Sequence, residues 1–227
     1  MKVVFTFFGL AFSALLPLIN PLGDALVFLS VVGPAGPAVY RRLAGRIALD
    51  TTLFLIVIEA GGAAVMKFFG ISLPVMQVSG GLVLAAMGWH LLSQEEKPSP
   101  PEIQPDHMDG ATLDSKVFYP LTFPITAGPG CIVVMITLSA HASAVQGFGD
   151  LGAHLGITLA VVLLSAAVFI CYGFAPVIAA RVKPGTAHGI QRVIAFILLA
   201  IGVQITWNGF STLWRTSLMQ IPPGSLG

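Results

Sequence analysis

The chain has 227 residues, 56% hydrophobic and 9% charged, with a formal net charge of +1 and a mean hydropathy of +0.89. A soluble domain carries about 25% charged residues, so this composition is that of an integral membrane protein. A net charge this close to zero excludes the basic footprint of a nucleic-acid partner.

In chain order, six segments can cross the roughly 30 Å of bilayer hydrocarbon at about 1.5 Å per helical residue. They are 3–32, 47–66, 75–93, 117–140, 152–180 and 190–213. The start, with Lys2 ahead of an apolar stretch, has the look of a signal peptide. The apolar run continues past Pro21 and Gly23, which argues for a span instead. The fifth segment is too long for a perpendicular crossing and must tilt, protrude or kink near Gly173 and Pro176. The only long connection, Ser93 to Lys116, holds four prolines and six acidic residues and reads as a solvated linker. The expected organisation is therefore a first three-helix repeat over 1–93, a cytoplasmic linker over 94–116 and a second three-helix repeat over 117–227.

Lysine and arginine set the orientation. Arg41, Arg42, Arg46, Lys97, Lys116, Arg181, Lys183 and Arg192 fall on one side, and Lys2, Lys67 and Arg215 on the other. That bias places both termini outside, in the periplasm or extracellular space.

Two of the spans are interrupted. Pro17-Leu-Ile-Asn20-Pro21-Leu-Gly23 breaks the first, and Pro124-Ile-Thr-Ala-Gly128-Pro129-Gly130 breaks the fourth. Proline removes backbone hydrogen bonds that lipid cannot replace, so such a break survives only against protein or a water-lined cavity. Paired breaks in two halves point to a transporter's substrate site. Pro17 and Gly23 map onto Pro124 and Gly130 at an offset of 107, and Gln77 and Gly88 onto Gln191 and Gly202 at 114. Three spans per copy is odd, so the second copy enters the membrane upside down. The expected fold is an all-α membrane protein, six helices in a 3+3 inverted repeat with helices 1 and 4 broken.

The residues that carry these features resemble the MarC family of six-span inner-membrane proteins, which includes the small neutral amino-acid transporters called SnatA. The similar stretches are PLINPLGDALVFLS (17–30), RRLAGRIAL (41–49), FFGISLPVMQVSGGLVLAAMGWHLL (68–92), YPLTFPITAGPG (119–130) and IQRVIAFILLAIGVQITWNGF (190–210). The resemblance implies a six-helix inverted repeat in the inner membrane and transport of alanine, glycine and similar amino acids. Asp24 departs from the family pattern, in which asparagine more often follows the NPLG motif.

A zwitterionic amino acid needs partial positive charge for its carboxylate and acceptors for its ammonium. Helices restarting at Gly23 and Gly130 offer unpaired N–H groups and a positive dipole end. Half-helices ending at Asn20 and Ala127 offer free carbonyls. The expected substrate-binding set is Asn20, Pro21, Gly23, Asp24, Thr122, Thr126, Gly128, Pro129 and Gly130, with Gln77 and Gln191 at matching positions further off. The alternative is that the breaks only kink packed helices, and that the two glutamines are interhelical hydrogen-bond partners. Asp50 is placed to pair with Arg46, four residues earlier. Glu59, about 18 Å along its helix from Ile47, is the candidate to carry a coupling proton, sodium being the other possible coupling ion; a structural carboxyl is the alternative. Gln204 and Asn208 share a helix face. Trp89, His90, Trp207 and Trp214 fall near span ends, as interfacial anchors do. His107, His141, His154 and His188 receive no role.

Cys131 and Cys171 read as packing residues, and no spacing suggests a metal or other cofactor. No hydrolase, metalloprotease or nucleotide-binding motif is present, so an enzyme is not expected and energy must come from gradients. The expected function is secondary transport or export of small neutral amino acids by alternating access. A channel for a small solute or ion, and a non-transporting scaffold, are the alternatives.

Overall fold

A computed structural model of the chain describes residues 1–93, 110–143, 145, 148–181 and 184–219. The regular elements among them are helical. In order they are α1 (Lys2–Ile19), α2 (Pro21–Val32), α3 (Pro37–Phe68), α4 (Leu73–Ser93) and α5 (Gly110–Ser115). A wide-turned helical segment, Val117–Thr126, follows, and then α6 (Pro129–Ser143), α7 (Phe148–Gly173), α8 (Ala175–Arg181) and α9 (Pro184–Met219). Proline opens α2, α3 and α6, where its missing N–H would be unpaired in any residue and its fixed φ suits the first turn. The fifth expected span does divide near Gly173, with α7 ending there and α8 beginning at Ala175.

Helix α7 is the centre of the packing. It contacts α1, α2, α3, α6 and α8. Its buried face is Ala153, Ile157, Ala160, Val161, Leu164, Val168 and Tyr172, spaced at the three-to-four-residue interval of one helical stripe. Helices α4 and α9 lie side by side and antiparallel, with backbones in close approach. A Cβ on Gly88 would meet Leu199 N at 2.5 Å and Ala195 O at 2.9 Å; one on Gly202 would meet Ala85 N and, at 2.7 Å, Gly81 O. A shift of 114 residues interchanges the two sets of partners. Small residues at such crossings let helices pack in lipid, where no hydrophobic force drives them together.

Four helical stretches are long and apolar enough to cross a membrane: Lys2–Val32, Leu73–Ser93, Gly149–Gly173 and Gln191–Leu218. A fifth arises if the bent pair Val117–Thr126 and Pro129–Ser143 is one span. The expected crossing at 47–66 lies within α3 and is not among them. Leu53, Val57, Leu163, Phe196 and Trp207 point outward and are nearly half exposed or more. Such a surface suits lipid and would be an association surface in water.

Most of the expected 94–116 linker, with His107, lies outside the described residues. Its last part forms α5, and this corrects the pairing expected for Asp50. Arg46 Nη1 instead meets Asp114 Oδ1 at 2.8 Å, with Arg42 Nη2 at 3.4 Å on the same oxygen. The i, i+4 rule names a local partner, whereas α5 brings a carboxylate that two arginines share.

Candidate functional site at the two helix breaks

The first break turns on one residue. Asn20 closes α1 in the left-handed region (φ 39°, ψ 60°) and caps α2, its side-chain oxygen accepting from Gly23 N at 3.2 Å. Asparagine tolerates that conformation better than other side chains. The Asn20 carbonyl accepts from Asp24 N at 3.0 Å. Two expectations are corrected by this. The Gly23 N–H is not open to a substrate carboxylate, because Asn20 already fills it. The Asn20 carbonyl is not free either. Pro17 O does lose its partner, since the residue four positions on is Pro21.

The second break is built differently. Pro120 and Pro124 stand four apart in Tyr-Pro-Leu-Thr followed by Phe-Pro-Ile-Thr, a tandem repeat. Both Tyr119-Pro120 and Phe123-Pro124 are cis. Hydrogen bonds here reach back five residues: Leu121 N to Lys116 O at 3.3 Å and Ala127 N to Thr122 O at 2.8 Å. Each threonine repeats that reach through its side chain, Thr122 Oγ1 donating to Val117 O at 2.9 Å and Thr126 Oγ1 to Leu121 O at 2.7 Å. Threonine hydroxyls thus add donors to the Val117 and Leu121 carbonyls inside the interrupted stretch. The chain then bends by 67° into α6. The two breaks are therefore unequal: Lys2–Val32 still reads as one span, while the second is sharply bent.

The breaks meet in the interior. A Cβ on Gly130 would collide with Leu84 and would meet Leu18 Cδ2 at 2.9 Å, so Gly130 permits close packing of α6 against the first break and α4. Tyr172 of α7, fully buried, joins the two. Its hydroxyl shares a 2.8 Å hydrogen bond with Thr126, and its ring stacks on Phe28 of α2 with centroids 4.8 Å apart. Thr126 and Tyr172 thus form a buried polar pair between the breaks. Asp24 lies in the first turn of α2 and Cys131 in the first turn of α6. Tyr172 and Cys131 were not among the expected site residues. The signal for Tyr172 was a lone tyrosine within an otherwise apolar span, whose hydroxyl needs a buried partner.

The remaining expected residues stand apart. Gln77 is buried on α4, its Cβ lying 2.8 Å from the position a Cβ on Gly209 would take. Gln191 is exposed, at the opposite end of the α4–α9 pair. The two glutamines match in sequence offset and differ in environment. Gln204 Nε2 does donate to Asn208 Oδ1, at 2.9 Å, on an exposed face. A cavity of about 640 Å³ opens beside the first break, between Leu16, Pro17, Asn20 and Pro21 on one side and Cys171 and Ile197 on the other. Its walls are almost wholly apolar, and no residue of the second break lines it.

Glu59 has partners that no local pattern discloses. It is 6% exposed on α3 and lies 3.0 Å from His154 Nδ1 on α7, with Thr158 Oγ1 at 3.4 Å on its other oxygen. Among the described residues no group of three or more His, Cys, Asp or Glu is arranged to hold a metal ion.

The architecture and its paired interruptions can be set beside known proteins. The model of the MarC family integral membrane proteins matches residues 5–214. The chain belongs to the MarC family. It is 30% identical over 223 residues to the inner membrane protein MarC of Salmonella typhimurium, covering 95% of this chain and 99% of that one. The inner membrane protein MarC of Escherichia coli K12 is 28% identical over 219 residues, with the same coverage. No solved structure matches the chain. This MarC-family chain is thus a membrane protein whose family membership covers both breaks, and its relatives are named for the inner membrane.

Proposed function

We propose that this MarC-family protein is a secondary transporter of small neutral amino acids, working by alternating access about the two breaks. The observation that carries the reading is the buried Thr126–Tyr172 hydrogen bond, held where two interrupted helices meet, with Asp24 in the first turn of α2. An intramembrane carboxylate between packed helices marks a transport path by default. Asp24, in the first turn of α2, supplies the acceptor for a substrate ammonium, while the first turn of α6 presents the Gly130 N–H toward a carboxylate. Gly130 seats α6 on Leu18 and Leu84, so this conformation is closed, and substrate enters when the two breaks part.

The packing supports a 3+3 inverted repeat. Helix α1 packs on α7 as the second broken helix packs on α3; α6 packs on α4 as α1 packs on α9; α3 pairs with α7 and α4 with α9. Exchange of the two halves maps this set of contacts onto itself, as a two-fold axis in the membrane plane requires.

Ligand-induced stabilisation of the purified protein across the twenty amino acids tests the substrate class. A ligand at a hundred times its Kd adds about 2.7 kcal/mol to the folded state. Raised thermal midpoints with alanine, glycine and serine, and none with lysine or glutamate, are expected. A flat response across all twenty removes amino acids as substrates.

A further inference from the structure

We propose that Asp150, His154 and Glu59 form a proton relay that runs from the outer end of α7 to the buried carboxyl of α3, so that the coupling ion is a proton. The proposal rests on the transporter reading for its purpose, and on geometry alone for its path. Exposure falls stepwise along the series: Asp150 is 49% exposed, His154 30% and Glu59 6%. His154 Nε2 lies 3.1 Å from Asp150 Oδ1, and Nδ1 lies 3.0 Å from Glu59 Oε1. One imidazole therefore uses both of its nitrogens: Nδ1 hydrogen-bonds Glu59, and Nε2 hydrogen-bonds Ser143 Oγ with the Asp150 carboxylate in ion-pair range. That is the geometry a histidine shuttle needs, since a proton taken on one nitrogen releases the proton held on the other.

The step balances without a co-reactant. A proton from the aqueous side, concentrated by the Asp150 carboxylate, bonds to His154 Nε2. The Nδ1–H bond breaks, and that proton bonds to Glu59 Oε1. His154 ends neutral in its other tautomer, and Glu59 ends protonated. Rotation of the ring or return of a proton by the same route resets the tautomer.

Hydroxyls support the relay from the helices packed against it. From α6 come hydroxyls: Ser143 Oγ lies 3.3 Å from His154 Nε2, and Ser139 Oγ donates to Glu59 O at 2.8 Å. His141, also on α6, is exposed and bonded at 2.7 Å to Thr137 O of its own turn. From α7, Thr158 Oγ1 is shared between His154 O at 2.9 Å and Glu59 Oε2 at 3.4 Å. Helix α1, packed on another side of α7, presents Val3, Val4 and Phe8 at Gly152 and Gly156, with Lys2 exposed at its start. Lys67, on α3 beyond Glu59, is exposed at the helix end. The arrangement suits a proton better than sodium, the other coupling ion considered. A hard cation takes a shell of oxygen donors, whereas the nearest partner of the Glu59 carboxyl is a nitrogen.

The test reads Glu59 itself. Infrared spectra of the purified protein after a pH jump resolve its carboxyl band, identified by its loss in Glu59→Gln. The expected result is protonation of Glu59 slowed at least about tenfold in His154→Gln, slowed less in Asp150→Asn, and restored in His154→Ala by added imidazole. A Glu59 band that never changes with pH, or one that responds in His154→Gln at the parent rate, overturns the relay. In proteoliposomes of the parent, net amino-acid uptake without proton movement would keep the transporter reading and overturn the coupling. Absence of any exchange, with relay kinetics as predicted, would overturn the transporter reading and keep the relay.

Discussion

Asn20 carries two roles at once, a left-handed backbone conformation and a side-chain cap, and they separate by mutation. Asn20→Gly keeps the conformation and, by the usual behaviour of caps, costs a few tenths of a kcal/mol. Asn20→Ala loses the cap and forces an alanine into the left-handed region, at about 1–3 kcal/mol in all. Thermal or chemical unfolding of both variants in detergent checks the order; equal costs would show that the conformation at residue 20 is not strained. The same scale shows why the glycines of the breaks are poor probes of binding. A side chain at Gly23 would displace Asn20, and one at Gly130 would displace Leu18 or Leu84, so either variant alters packing before it meets a substrate. The sequence made the prolines and glycines of both breaks legible, because each acts on its own backbone. It did not disclose His154 opposite Glu59, because the pair is separated by 95 residues and no helical periodicity links them.

At the scale of elements, the helices begin at Pro21 and Pro129 rather than at the expected Gly23 and Gly130, and of the three ways expected to accommodate the long fifth span the chain takes the division near Gly173. What local rules missed was α5 delivering Asp114 to Arg42 and Arg46, and the threonine hydroxyls that bond carbonyls five residues back in Val117–Thr126. Both depend on chain geometry that propensity does not encode. The α4–α9 crossing is the sharpest element-level prediction. Gly88→Ala and Gly202→Ala each set a methyl against the partner's backbone and should each destabilise by about 1–3 kcal/mol. Gly61→Ala, where a Cβ would meet nothing within 4 Å, should be neutral or stabilising, since glycine costs about 1 kcal/mol within a helix. Unfolding midpoints of the three variants provide the check. Similar costs at Gly88 and Gly202 are what a two-fold crossing requires, and a large cost at one alone would break the symmetry.

For the whole molecule, the composition fixed the membrane class, and the paired offsets anticipated contacts that interchange under the same shift of 114 residues. The offsets did not anticipate how unequal the breaks are. The first is a single capped residue within one continuous span, and the second is a proline-threonine segment bent by 67°. That inequality leaves Asp24, the proposed ammonium acceptor, on one break and the bend on the other. The central claim is that a small neutral amino acid crosses through this meeting point in a saturable exchange. Counterflow of labelled alanine in proteoliposomes measures it most directly. The account predicts uptake that saturates, is accelerated by unlabelled alanine inside the vesicles, and in Asp24→Ala needs at least about tenfold more substrate, the loss of one charge-assisted hydrogen bond. Flux that rises linearly with concentration, gains nothing from internal alanine and is the same in Asp24→Ala would contradict it.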